Sequence, residues 1–405
     1  MRILVQKFGG TSVATPEARQ RVVKKVKEAM AEGYAPVVVV SAMGRKGAPY
    51  ATDTLLSVLN EANPKVAKRE VDSLLYCGEM ISASVMAATL QVADVASVML
   101  TGGQAGIITD DQFTNARILK IDTAPLLRLL KAGKIPVVCG FQGVTKNGEF
   151  TTLGRGGSDT TGAALGAALE AERVEIYTDV DGIMTADPRM VTNARILDCV
   201  SYGEICQMAH QGAKVIHPRA VEIAMQKNIP LVVKSTFSDA PGTLITTLAA
   251  ETGEGSAVSD RVATGVAYLG SIAQVKIDVN STASHEAASQ VFRAMAENNI
   301  SVDLINVHPG QIMFTVKQEY IPLAQTKLKD LDFSPEILAD CAKVSVVGGG
   351  MREVPGVMAN FVDALTTSRI EILQTVDSHT SISALVRQDD VKAALLALHE
   401  RFGLA

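Results

Sequence analysis

The sequence predicts an α/β chain: a mainly parallel sheet flanked by helices, followed by two small α+β modules. Three observations carry that reading. Up to residue 246, short β-branched runs alternate with Ala-rich helical runs. Near-continuous apolar strands between helices mark a parallel sheet covered on both faces. Around 247–261 the chain becomes small and polar, through Ala-Ala-Glu-Thr-Gly-Glu-Gly-Ser, which reads as a linker. Beyond it the pattern repeats with a period of about 70 residues.

The first region, 1–246, opens with a strand over 2–7 and a helix over 16–31. An all-apolar strand follows at 36–41, bounded by Gly33 and Gly44. Helical stretches are expected over 53–62 and across 65–90. Further strands fall at 95–100, 136–139, 174–178 and 231–235, with helices over 122–132, 158–171 and 219–227.

After the linker, an offset of about 70 places Ile300 on Ile370, Ile312 on Ile382 and Val316 on Val386. It also places Val291 on Phe361 and Met295 on Leu365. Each unit reads strand, amphipathic helix, strand and alternating strand. The leading strands are 273–279 and 343–347, the helices 286–298 and 355–367, and the alternating strands 311–316 and 380–386. The modules are therefore set at 262–335 and 336–405. Two such modules in tandem bury edges or faces against each other or against another subunit.

A net charge of −5, with Lys and Arg scattered, leaves no broad basic surface for nucleic acid. No apolar stretch reaches the ~18 residues that span a bilayer, so no membrane partner is expected. The N-terminus lacks a signal-peptide layout. Five cysteines form no C-x-x-C pair, as expected for reduced thiols in a cytoplasm. The six histidines show no metal-ligand spacing, so no metal held by protein ligands is expected.

Lys7-Phe8-Gly9-Gly10-Thr11-Ser12 follows the first strand and precedes a helix. Two glycines there make either a tight turn or a backbone cradle for phosphate oxygens, with Lys7 adding a cation. Neither a G-x-x-x-x-G-K-[ST] loop nor a G-x-G-x-x-G fingerprint is present; Gly133-Lys134 is followed by Ile135. The stretch 151–161 frames Arg155 with Gly154, Gly156 and Gly157 and places Ser158 and Asp159 at the start of an Ala/Gly-rich helix. It is either a capped turn or an arginine presented to take a carboxylate or phosphate through two hydrogen bonds. A third stretch, 176–183, ends a strand in Asp179 and Asp181 and runs on to Thr185-Ala186-Asp187-Pro188-Arg189. Polar residues at carboxyl ends of parallel strands are ligand candidates, and also common surface turns. Glu79, in an otherwise apolar helix, needs a partner if buried.

The segments 7–12, 41–44, Thr52-Asp53, Gly78-Glu79, 154–159, 178–183 and 214–220 stand here in the order and approximate spacing of the aspartate kinase family, which the chain resembles over nearly its whole length. The resemblance implies an amino-acid-kinase-like sheet and two ferredoxin-like ACT modules. It implies that Lys7, Phe8, Gly9, Gly10, Thr178, Asp179, Met184, Thr185, Asp187, Arg189 and Lys214 bind ATP. Ser41, Thr52, Glu79, Arg155, Gly156, Gly157 and Ser158 would bind L-aspartate, with Lys7, Arg155 and Asp159 catalytic. Met184 departs from the tyrosine of many relatives.

ATP would enter as its Mg complex, as a substrate, with no tightly bound organic cofactor. The implied reaction needs no general base, because a carboxylate with a pKa of about 4 is already ionised at neutral pH. The difficulty is bringing one anion up to another, which positioning and fixed positive charge must solve. Paired ACT modules further imply feedback by a pathway amino acid and a homo-oligomer formed through those modules. Asn306, His308, Val357, Asp377 and His379 are the implied effector residues, although Asp377 and His379 also read as satisfied turn residues. The loop Val376-Asp377-Ser378-His379-Thr380 looks most like the diaminopimelate-sensitive type, against lysine or threonine.

Overall fold

A computed structural model describes residues 1–213, 215–247, 262–279, 284–351 and 354–405. The expected linker beyond residue 247 and Lys214 lie outside them. The chain forms two compact units. The first contains Met1–Ile183, Ile196–Ala209 and residues 215–247; the second contains Met184–Arg195, His210–Ala213 and the described residues from 262 onward.

The strands of the first unit are β1 (Arg2–Phe8), β2 (Tyr34–Val40), β3 (Ser97–Leu100), β4 (Ile107–Thr109), β5 (Ile118–Ile121), β6 (Ile135–Cys139), β7 (Gln142–Thr145), β8 (Phe150–Thr152), β9 (Arg173–Thr178), β10 (Cys199–Ser201), β11 (Leu231–Ser235) and β12 (Thr243–Thr246). The helices up to this point are α1 (Gly10–Val13), α2 (Pro16–Ala31), α3 (Thr52–Ala62), α4 (Lys68–Val92), α5 (Ala124–Lys131), α6 (Gly157–Ala168), α7 (Tyr202–His210) and α8 (Pro218–Gln226). Eight strands make one sheet in the order β10-β12-β11-β9-β1-β2-β6-β3. Its pairings are parallel except β11 with β12. A separate sheet, β5-β4-β7-β8, consists of strands of three or four residues. Such short strands carry too little periodicity to be read from sequence, and none was expected.

Strand alternation sorts the main sheet's side chains. Phe8, Val38, Val40 and Tyr177 bury one face against Val22 and Val26 of α2 and Met86 and Leu90 of α4. On the other face α6 lies close, because Gly162 and Gly166 have no side chain: a Cβ at Gly166 would stand 2.2 Å from Val174 Cγ2. Helix α4 is long and apolar enough, by length and composition, to cross a membrane. It nonetheless buries Asp72 and Glu79 together with Leu75, Met86 and Leu90, as a core helix does.

In the second unit, β13 (Gly265–Asp278), β14 (Asp303–His308), β15 (Gln311–Lys317), β16 (Glu336–Val347), β17 (Gln374–Asp377) and β18 (Ser381–Arg387) form one antiparallel sheet in the order β14-β15-β13-β16-β18-β17. It carries α9 (Ser284–Glu297), α10 (Ile321–Lys329), α11 (Val357–Thr367) and α12 (Val391–Arg401). The expected repeat is present as strand, helix, strand, strand, and each copy continues into a second helix, α10 or α12, that the sequence reading missed. Even the turns repeat: Asn299 and Arg369, each just after a helix, hold φ of 55° and 57°.

The copies share their first strands. The amino half of β13 pairs with the carboxyl half of β16, Gly265 facing Val347, while Gln274 farther along faces Leu338 near the start of β16. Val275, Val291, Met295 and Phe314 centre one core, and Val344, Phe361, Leu365 and Leu398 the other. Burying each such side chain contributes about 1.5–3 kcal/mol. Ala186 and Val191, from the segment Met184–Arg195, belong to that second core.

Candidate active site

The site begins where the strand order of the main sheet turns around. β1 pairs with β2 on one side and β9 on the other, so Phe8 at its end lies beside both Val40 and Tyr177. The chain leaving β1 enters the crevice at the carboxyl ends of the strands, the usual ligand position in such sheets. Gly9 N–H donates to the Tyr177 carbonyl at 3.1 Å. Gly10 passes so close to the next loop that a Cβ would stand 2.6 Å from the carbonyl oxygens of both Ala42 and Gly44.

Lys7, on the α6 face of β1, is buried, and its Nζ lies 2.6 Å from Asp159 Oδ1. Asp159 sits in the first turn of α6, where the helix dipole favours an acid. The turn before that helix is held from two directions. Asp72 of α4 accepts the backbone N–H and the hydroxyl of Thr152, at 3.0 and 2.6 Å. Arg219 of α8 donates to the carbonyls of Leu153 and Ala116, at 2.6 and 2.8 Å. Gly156 has a φ of 64°, and a Cβ there would meet His217 Cβ at 2.2 Å. These constraints leave Arg155 exposed at the tip of the turn, with no ion pair among the described residues.

Glu79 is 3% exposed. Burial pushes its pKa up to about 8, against a backbone hydrogen bond from Ala42 and the charge of Lys7, which pull it down. Its Oε2 is buried without a hydrogen-bond partner among the described residues. A buried polar atom left unpaired costs about 1–3 kcal/mol, so this oxygen is a ready acceptor for a cationic ligand.

Lys7, Gly10, Ser41, Thr52, Glu79, the run Arg155–Ser158 and Asp159 line one cavity of roughly 650 Å³. Every residue expected to bind L-aspartate is in its lining. Phe8 is instead a core side chain, stacked on Tyr177 with ring centroids 4.7 Å apart. Thr178 ends β9 and Asp179 follows it, both outside the lining, and Asp179 pairs with Arg45 at 2.5 Å.

Of the other expected nucleotide residues, Met184, Thr185, Asp187 and Arg189 belong to the second unit. There the buried Thr185 hydroxyl lies 2.9 Å from His399 Nε2 and accepts from Arg195 N–H, while Asp187 and Arg189 pair at 2.6 Å. Lys214 lies outside the described residues. Among the expected effector residues, Asn306 and His308 are on β14, Val357 opens α11, Asp377 ends β17, and His379 lies in the turn before β18. No group of three or more His, Cys, Asp or Glu in metal-holding geometry occurs among the described residues.

Thr114, Phe141 and Thr152 also line the cavity, and Asp72 and Arg219 shape it; none was given a site role from the sequence, although Thr152 and Arg219 fall in the stretches 151–161 and 214–220. Asp72 had a signal: it is an acid two turns before Glu79 in the same largely apolar helix.

The description of the amino acid kinase family matches residues 2–235, and that of an ACT domain matches residues 336–400. Aspartokinase 1 of Bacillus subtilis is 49% identical over 405 residues, covering 100% of both chains. The fold superposes on Escherichia coli aspartokinase III in complex with aspartate and ADP, at a TM-score of 0.79 and 27% identity over 99% of each chain. The same enzyme in complex with lysine and aspartate gives 0.74, again at 27% identity over 99% of each chain.

Proposed function

The chain belongs to the aspartokinase family, and we propose that its first unit carries the reaction in the cavity lined by Lys7, Glu79 and Arg155. The reaction transfers the γ-phosphoryl group of ATP to the β-carboxylate of L-aspartate, giving ADP and 4-phospho-L-aspartate.

One observation supports the residue assignment most. The cavity holds a buried carboxylate with an unpaired oxygen, Glu79, together with an exposed guanidinium, Arg155. An α-amino acid carries the complementary pair on one carbon. Its ammonium suits Glu79 and its α-carboxylate the fork of Arg155, with Ser41, Thr52, Gly156, Gly157 and Ser158 around it. The β-carboxylate then faces Lys7.

The Gly9–Gly10 turn and Lys7 hold the ATP phosphates, and Lys7 neutralises charge that develops on the transferred group. Mg²⁺ enters with ATP and neutralises further phosphate charge. Asp159 keeps the Lys7 ammonium aimed into the cavity. Phe8 contributes through its backbone, because its ring is spent in the core. Thr178, at the carboxyl end of β9, and Asp179 after it complete the first unit's nucleotide contacts.

The second unit takes a feedback amino acid, with Asn306, His308, Val357, Asp377 and His379 as effector residues and diaminopimelate as the effector the 376–380 loop favours. Association through its sheet gives a homo-oligomer, and five free cysteines suit the cytoplasm. The deciding experiment is aspartyl hydroxamate formation with Mg-ATP by the parent chain and by Lys7→Ala and Arg155→Ala, beside circular dichroism. Folded variants with near-normal turnover would sink the assignment. Adding diaminopimelate, lysine and threonine in turn identifies the effector.

A further inference from the structure

We propose that Asp72 is a positioning residue for L-aspartate, setting the span between Glu79 and Arg155. The proposal rests on the reading above that those two side chains clamp the amino acid.

Asp72 is 0% exposed and lies seven residues before Glu79 on α4, two turns along the same helix face. It forms no ion pair among the described residues. Burial pushes its pKa up, and only neutral donors oppose that. Its Oδ2 accepts the N–H groups of Thr114 and Thr152 at 2.9 and 3.0 Å. Its Oδ1 accepts the Thr152 hydroxyl at 2.6 Å and lies 3.1 Å from Thr114 N. A buried acid is costly, and three donors converge here to satisfy it.

Those donors belong to the two segments that shape the arginine turn. Thr152 is three residues before Arg155. Thr114 holds a φ of 71° and precedes Asn115, whose Oδ1 would stand 2.7 Å from a Cβ at Gly154. Asp72 thus cross-links the helix carrying Glu79 to the turn carrying Arg155. The ammonium and α-carboxylate of an amino acid are a fixed distance apart, so the separation of the two partners decides whether both bonds form together.

The test is steady-state kinetics on the full chain. Asp72→Asn keeps one oxygen for the two N–H donors but removes the charge and replaces the acceptor of the Thr152 hydroxyl by an NH2, and is expected to raise KM for aspartate roughly tenfold, leaving KM for ATP within about twofold. Thr152→Val deletes only the hydroxyl donor and is expected to raise KM for aspartate by about threefold, in a chain that keeps its fold. A purely structural role lowers the melting temperature without splitting the two KM values, and that result in both variants overturns the proposal. If Asp72→Asn fails to fold, Thr152→Val alone decides by the same criterion. Glu79→Gln and Arg155→Lys, run in parallel, separate the two levels. If these leave KM for aspartate unchanged, the clamp itself fails and the inference with it. If they raise it while Asp72→Asn and Thr152→Val do not, the positioning role alone is overturned.

Discussion

Lys7 and Asp159 form an ion pair of 2.6 Å between the end of β1 and the first turn of α6, with side chains only 10% and 13% exposed. Each holds the other in place, and neither charge is left unpaired before ATP arrives. The relationship gives a largely buried lysine beside the Gly9–Gly10 turn a partner of opposite sign. Removing either partner strands the other, which in a largely buried pair is more damaging than the pair's own net contribution suggests.

The two partners therefore respond unequally. Lys7→Ala deletes the cation and leaves an unpaired carboxylate facing the phosphates; kcat should fall about 100- to 1000-fold. Asp159→Asn keeps the cation and the shape, and kcat should fall only about tenfold. Initial rates at saturating ATP and aspartate measure both, and equal losses in the two variants would contradict these roles.

Glu79 should make aspartate binding release a proton. Its pKa in the folded chain, about 8, lies above its ordinary 4.5. The ligand's ammonium favours the ionised form, so binding near neutral pH expels the proton. Calorimetry in buffers of different ionisation enthalpy should find close to one proton released at about pH 7, and none for Glu79→Gln. KM for aspartate should fall as pH rises toward about 8.

The same group sets a stability trend in the ligand-free chain. Its folded pKa is raised, so its contribution is fully present below the ordinary 4.5 and is lost as pH rises through about 8. Thermal melts of the parent chain should decline over that window more steeply than those of Glu79→Gln.

Gly156→Ala tests the turn that carries Arg155. A φ of 64° and a Cβ only 2.2 Å from His217 Cβ leave no room for a side chain. The backbone strain alone costs on the order of 1–3 kcal/mol. Denaturant unfolding should show that loss together with a raised KM for aspartate.

Arg219 is expected to matter without touching a substrate. Arg219→Ala would leave the carbonyls of Leu153 and Ala116 without their partner, costing about 1–3 kcal/mol for each that stays buried. Denaturant melts should show a larger loss for Arg219→Ala than for Arg219→Lys, which keeps a cationic nitrogen able to donate.

Much of this was legible beforehand because it is local. The Gly9–Gly10 turn follows its strand directly, Arg155 stands between its glycines, and Glu79 interrupts an apolar helix; each announces itself within a few residues. The 70-residue repeat was visible because both copies bury the same face at the same period, as Val291 and Phe361 show. Short strands such as β4 and β8, with three residues each, have no period to read.

By itself, the sequence determined the parallel sheet, the duplicated regulatory-type modules and the residues proposed to neutralise two anions. Only the tertiary structure decided how they meet: that Asp72 reaches Thr152 eighty residues away, that Arg219 ties two carbonyls, that the copies share β13 and β16, and that Met184–Arg195 joins the second unit. The physical reason is range. Turn chemistry and helical or strand periods are properties of neighbouring residues, whereas a buried carboxylate's choice of donors depends on which distant segments the packed core brings within about 3 Å of it.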